Sequence, residues 1–287
     1  MGKKGKKGQA GKPKKLTPKD VGKRLNALAK NLEEERKDAD LFAPLPPTED
    51  CAVCLVPLSR AASNSDYCAC CGNSICYACY KQNKEQNATK SKPDTCPFCR
   101  ELRPPFDEYV RQLQARALKN DYVALNNLAG GYVDGSPVLP KDDLKALDYL
   151  IRAVELGSPE ACTQIGVFYS SGGCGVSKDM ERRDLFFIVG AMRGDIHSRH
   201  NIGNSEYHDL GNHEIAIRHW KIAAEGGFQP SIDALKKVYN ADGKIPGKDF
   251  ISKESMDSIY RVCHDAQMEV KSAEREKHCK GRTKVKC

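Results

Sequence analysis

Beyond residue 120, small and apolar residues return at fixed intervals. Ala124 recurs as Ala161, Tyr132 as Tyr169, Asp142 as Asp179, Gly157 as Gly194, and Ile165-Gly166 as Ile202-Gly203, each 37 positions on. A third unit is shorter by four: Ala146, Ala153 and Gly157 return as Ala216, Ala223 and Gly227, seventy positions later. A fourth begins at Ser231, with Tyr239 and Asp249 seventy after Tyr169 and Asp179. A period of this size marks a repeat architecture. Each unit reads as two helices. Ala124, Ala153, Ala161 and Ala223 let neighbouring helices approach, Tyr132 and Tyr169 fill the space between them, and Gly157, Gly194 and Gly227 end the second helix in the left-handed conformation. Stacked pairs predict an α-solenoid with a concave face over residues 120–265, in units of about 121–157, 158–194, 195–227 and 228–265.

Upstream the pattern changes. Val21, Leu25, Leu28, Ala29 and Leu32 have helical spacing and predict a short amphipathic helix inside residues 1–45. Pro44-Leu45-Pro46-Pro47 then forbids helix and reads as a linker. Tyr109, Val110, Leu113, Ala117 and Leu118 predict a connecting helix over residues 104–119. Residues 266–287 read as a helical end and a basic tail.

The net charge of +8 sits at the ends. Residues 1–24 carry ten Lys or Arg against Asp20 alone, and residues 271–287 carry seven against two acids, which leaves the body between them at −6. Such Lys blocks without apolar residues predict a disordered basic tail, suited to nuclear import or loose phosphate contacts. Neither tail has stacking aromatics or a groove-reading helix, so nucleic acid is expected only through the tails. No apolar stretch approaches the ~20 residues of a membrane span. Residues 1–15 lack the apolar core of a secretory signal, so an intracellular location, cytoplasmic or nuclear, is expected.

In a reducing compartment clustered Cys point to metal rather than disulfides. Nine of the 14 Cys lie between Cys51 and Cys99. Cys51/Cys54, Cys76/Cys79 and Cys96/Cys99 have the C-x2-C spacing that turns two thiolates toward one tetrahedral ion. Two sites need a fourth pair, from Cys68, Cys70 and Cys71. Cys68 with Cys71 restores the spacing, with Gly72 as the turn residue; Cys70 is the alternative to Cys68. Every His lies at or after His197, so both sites are expected to be all-Cys, holding two Zn2+ ions. Val53, Leu55, Leu58, Ile75 and Phe98 make too small a core to fold alone, so metal must supply the folding free energy. His197, His200, His208, His213 and His219 follow no ligand frame and read as structural. Cys162, Cys174 and Cys263 read as core thiols, with Cys279 and Cys287 in the polar tail.

The order of pairs over about residues 49–102 resembles a RING finger of the all-Cys kind. Cys51-Ala52-Val53-Cys54 and Cys96-Pro97-Phe98-Cys99-Arg100 match the opening and closing signatures of that family. Asn73 stands where many members have His. The resemblance implies interleaved ligands: Cys51, Cys54, Cys76 and Cys79 on one ion, and Cys68, Cys71, Cys96 and Cys99 on the other. It also implies that Val53, Pro97 and Phe98 dock a ubiquitin-conjugating enzyme, with Arg100 bridging that enzyme and its ubiquitin. Transfer would then proceed by positioning, with no catalytic residue and no covalent intermediate. The bulky residue that commonly lines the family's docking groove is missing between Tyr80 and Cys96. A FYVE finger has a similar middle, but Ser63-Asn64-Ser65-Asp66-Tyr67 offers no cation for its phosphoinositide.

Residues 144–157, Gly175-Val176-Ser177-Lys178-Asp179 and residues 219–227 resemble Sel1-like repeats, relatives of the tetratricopeptide repeat. That family implies protein-binding scaffolding. The expected architecture is therefore mainly α: a small binuclear-zinc RING-like finger over residues 46–103, followed by an α-solenoid of Sel1-like helical hairpins. The function this implies is a RING-type E3 ubiquitin ligase whose repeats bind a protein partner, with a non-catalytic zinc-finger/Sel1-repeat adaptor as the alternative.

Overall fold

The computed structural model describes residues 17–37, 40–60, 65–241 and 245–271. The basic residues 1–16 and 272–287, Cys279 and Cys287 among them, and the side chain of Cys263 lie outside the described residues.

Helix α1 (Pro18–Arg36) opens on Thr17, whose hydroxyl accepts the Asp20 N–H, with Pro18 in the first turn. It buries one stripe, Val21, Leu25, Leu28, Ala29 and Leu32. A hairpin of β1 (Ser65–Cys68) and β2 (Asn73–Cys76), antiparallel with Cys68 opposite Asn73, leads into α2 (Tyr77–Thr89). Helix α3 (Phe106–Ala117) follows, burying Val110, Leu113 and Ala117. Leu118, expected on the same stripe, lies past the helix end and is 82% exposed.

The remaining helices come in pairs: α4 (Tyr122–Asp134) with α5 (Asp143–Glu155), α6 (Pro159–Ser171) with α7 (Met180–Met192), α8 (Ile196–His208) with α9 (His213–Glu225), and α10 (Gln229–Tyr239) with α11 (Lys253–Lys271). Successive pairs stack, α5 on α6, α7 on α8 and α9 on α10, while α1 lies across α5 and α7.

The 37-residue period has physical causes. Asp142 and Asp179 recur because their carboxylates cap α5 and α7, accepting the Lys145 and Arg182 N–H at 3.1 and 3.0 Å. Gly157, Gly194 and Gly227 end the second helices at φ of +92°, +95° and +84°. Gly166 and Gly203 recur because an aromatic ring of the paired helix lies on them: a Cβ there would stand 2.5 Å from Phe187 or Trp220. Tyr132 stacks on Tyr149 and Tyr169 on Phe186, each at 5.8 Å. In the fourth unit Asp249 falls in a short 3-10 turn (Lys248–Phe250), and the hydroxyl of Ser252 caps α11 instead.

Pro44-Leu45-Pro46-Pro47 breaks helix as expected, yet it is no free linker. Pro46 sits on Gly194 and Leu45 on Gly226, close enough that a Cβ on either glycine would meet them below 3.0 Å.

Gly203→Ala should destabilise the protein by about 1–3 kcal/mol, the cost of overpacking against Trp220 exceeding the helix-propensity gain. Gly22→Ala in α1, where an added Cβ meets nothing within 4 Å, should stabilise it by up to about 1 kcal/mol. Urea titrations of the two variants check both signs.

Candidate metal centre and its seat on the repeats

Three tight turns present the cysteines. In the first, the Leu55 N–H bonds the Cys51 carbonyl at 2.9 Å, the Cys51 N–H returns to Val56, and Leu55 adopts φ +56°. The Cys96 turn repeats this with Arg100 (2.9 Å, φ +63°) and Glu101. At the hairpin, the Gly72 N–H bonds the Cys68 carbonyl at 2.7 Å with φ +77°. Cys76 caps α2, and its sulfur accepts the Cys79 N–H, so the positive end of the helix faces these thiols.

The sulfurs gather in two tetrads, Cys51, Cys54, Cys76 and Cys79, and Cys70, Cys71, Cys96 and Cys99, each with its ligand atoms within 4.8 Å of one another. Within the first, Cys51–Cys79 and Cys54–Cys76 are 3.9 and 3.8 Å apart; within the second, Cys71–Cys96 and Cys70–Cys99 are 3.9 and 3.4 Å. Four thiolates at ~2.3 Å from one tetrahedral ion stand about 3.8 Å apart, whereas a disulfide needs ~2.05 Å. The described cysteines are all free thiols, and their geometry fits metal.

The first tetrad is the set the RING resemblance implies. The second takes Cys70, the alternative, where Cys68 was expected. Cys68 stays close, within hydrogen-bonding reach of Cys96 and 5% exposed, so five thiols surround four positions. Spacing alone missed this because Cys68 starts a turn of the regular kind while the hairpin brings the sulfur of Cys70 over to Cys99. Of the residues implied for enzyme docking, Val53 and Pro97 are half-buried, whereas Phe98 (50%) and Arg100 are exposed. The described histidines join no metal-binding group.

The finger is seated on the helices by groups that sequence reasoning did not single out. Arg116 of α3 donates to the Ala69 and Cys70 carbonyls at 3.2 and 3.0 Å. Gly72 permits that approach, since a Cβ there would stand 2.5 Å from the guanidinium. The Tyr67 hydroxyl donates to Asp121, the cap of α4, and Arg60 donates to the Gly194 carbonyl at 3.1 Å. Between finger and repeats lies a cleft of about 880 Å³, lined among others by Tyr67, Tyr109, Tyr122, Asn126, Glu160 and His197. Burial pushes the Glu160 carboxyl up, and Asp195 raises the pKa of His197.

The Sel1 repeat family model matches residues 123–158, 159–182 and 203–228. These three segments carry Sel1 repeats. The matched Sel1 residues run from α4 into the first turn of α7 and from within α8 past the end of α9, while most of α7, the first half of α8, α10 and α11 lie outside them. Among solved structures, a Sel1 repeat protein from Oxalobacter formigenes is similar at 24% identity, over 66% of this chain and 72% of that one, with a TM-score of 0.49. A protective antigen with an SLR fold from uropathogenic Escherichia coli is 18% identical over 67% of this chain but only 39% of its own, with a TM-score of 0.46. The immunity protein Pa5087 from Pseudomonas aeruginosa is 18% identical over 67% of this chain and 83% of that one, with a TM-score of 0.37. No curated protein sequence matches the chain. Among the described residues, no helix is long and apolar enough to cross a membrane.

Cys70→Ser should remove one equivalent of bound metal, and Cys68→Ser none, as counted by native mass spectrometry. A second expectation concerns His219 in the third Sel1 unit, which is 1% exposed. Burial, with Arg199 and Arg218 nearby, lowers its pKa from 6.5 to about 4. The folded protein holds the neutral ring, whereas an unfolded chain takes up the proton near 6.5. Its contribution is therefore complete above that pH and shrinks as pH falls toward about 4. His219→Gln should flatten the loss of stability between pH 6.5 and 4.5 by up to one proton, measured by urea titration at each pH.

Proposed function

We propose that the protein is an adaptor in which a zinc-stabilised finger and a Sel1-repeat scaffold act as one rigid protein-binding surface. The observation that carries this reading is the seat of the finger. Arg116, Tyr67 and Arg60 tie the cysteine loops and the strand before them to α3, to the cap of α4 and to Gly194. A finger held in this way extends the repeat surface and forms one wall of the cleft. All-sulfur tetrads with spacings near 3.8 Å favour zinc over harder cations. When bound, zinc supplies cross-links between segments that have almost no apolar core; Cys51, Cys54, Cys76, Cys79, Cys70, Cys71, Cys96 and Cys99 would hold it. The Tyr- and Asn-lined cleft suits a polypeptide partner, because such side chains contact both main chain and side chains.

One observation favours a second reading, the RING-type ubiquitin ligase. Leu55, Phe98 and Leu102 are 54%, 50% and 59% exposed beside the two outer cysteine turns, and Arg100 projects from the same segment as Phe98. In that reading Val53, Pro97 and Phe98 receive the conjugating enzyme, and Arg100, whose planar fork can contact two partners, holds the ubiquitin.

An autoubiquitination assay of the zinc-loaded protein across a panel of conjugating enzymes separates the two. The adaptor gives no chains with any enzyme while two zinc ions remain bound. Chains that disappear on Val53→Ala or Arg100→Ala, with zinc content unchanged, would establish the ligase instead.

A further inference from the structure

Arg199 in α8 is 2% exposed, yet no described carboxylate forms an ion pair with it. Its guanidinium donates to two main-chain carbonyls, those of Leu41 and Ala43, and its Nε has no partner among the described residues. A buried cation is costly unless its donors are met, so residues 41–43 are the acceptors that make this arginine tolerable. Burial lowers the pKa of Arg199, and the Asp40 carboxylate opposes that shift.

The segment that supplies those carbonyls has the form of a bound ligand. Asp40 accepts the Phe42 N–H on its side chain at 2.9 Å and the Ala43 N–H on its carbonyl at 3.1 Å, forming an acid-capped turn with Phe42 at the tip. The Phe42 ring lies 3.6 Å below the Arg218 guanidinium and 5.0 Å from the His219 ring. Leu45 and Pro46 then run over Gly226 and Gly194, where the absence of side chains leaves a shallow channel. From Asp40 to Pro47 every residue is half-buried or exposed, whereas Arg199 and His219 beneath are buried. Arg199 and His219 thus lie deeper in the fold than the strap over them, while Arg218 is exposed beside the Phe42 ring.

We propose that the α8–α9 surface formed by Arg199, Arg218, His219, Gly194 and Gly226 is a peptide-recognition site that residues 40–47 fill in cis. Its trans occupant is a segment of a partner protein with the same chemistry: an acidic residue capping a turn, an aromatic residue two positions on, then a small residue and a proline. Main-chain carbonyls on the guanidinium of Arg199 provide affinity, and the ring between Arg218 and His219 provides selectivity. A tethered occupant competes at an effective concentration in the millimolar range, so the site accepts a partner only when the strap is loosened. The inference builds on the repeats being a binding scaffold, but it is independent of the finger's activity and of what the cleft binds.

The test uses the zinc-loaded full chain and a fluorescein-labelled peptide of residues 40–47, read by fluorescence anisotropy. Phe42→Ala protein should bind it saturably and at least tenfold more tightly than the wild-type chain does. Adding Arg218→Ala, a change at an exposed residue, should weaken that binding at least fivefold, and a peptide with Phe42→Ala should not bind. If Phe42→Ala protein loses its helical circular dichroism or its melting transition, Asp40→Ala, which removes the cap of the turn and the carboxylate that acts on Arg199 but keeps the Phe42 ring, takes its place. A folded variant that fails to bind, that binds both peptides equally, or that only self-associates overturns the proposal. None of these readouts involves a conjugating enzyme, so an inactive finger and an absent peptide site give different results.

Discussion

The finger has almost no apolar interior, and much of the rest is arranged around that constraint. Its buried cluster consists of six cysteines and Ile75. Residues whose sulfurs converge in this way cannot be held by hydrophobic burial alone at ~25 cal/mol per Å². Two kinds of support remain: cross-linking at sulfur, and attachment to something larger. The tetrads offer the first, and Arg116, reaching from α3 to the carbonyls of Ala69 and Cys70, offers the second. Because the cysteine loop exposes its carbonyls to a guanidinium, the module's orientation is tied to the helix that starts the repeats.

The repeats solve the opposite problem. They have ample apolar surface, and their difficulty is register. Glycine against an aromatic ring sets it locally, Gly166 under Phe187 and Gly203 under Trp220, while aspartate caps and left-handed glycines set where each helix starts and stops. Helix α1 adds a lengthwise strap: Arg24 pairs with Asp148 and Glu155 of α5, and Arg193 pairs with Glu35 at 2.8 Å. These ion pairs are partly exposed and individually weak, so the buried stripe from Val21 to Leu32 carries most of the attachment. The chain then turns over the α8–α9 edge as residues 40–47 and enters the finger from the side that faces the cleft.

Local chemistry was legible wherever it repeats. The stripe of α1 is buried at all five positions that its spacing marked, and the 37-residue anchors correspond to caps and close contacts. The C-x2-C pairs Cys51/Cys54 and Cys76/Cys79 converge in the set that the RING resemblance implies. Legibility failed where the deciding partner is remote in sequence. Leu118 reads as one more apolar position, but the helix ends at Ala117 and leaves it in solvent. Spacing favours Cys68 over Cys70; the difference arises from a hairpin that aims the sulfur of Cys70 at Cys99, 29 residues away. The proline run reads as a linker because only its effect on the backbone is local.

The sequence by itself thus determined what short-range rules govern: a helical repeat with its period, a cysteine-rich module with no histidine to draw on, and basic ends around an acidic body. Periodicity and metal-ligand spacing encode these because both depend on residues a few positions apart. Only the tertiary structure decided which thiols meet, that Arg116 seats the finger, and that a buried Arg199 waits for the carbonyls of a segment more than 150 residues upstream. Such contacts depend on how rigid elements stack. No local pattern specifies that, because a guanidinium or a carbonyl reads the same in sequence whatever it will face.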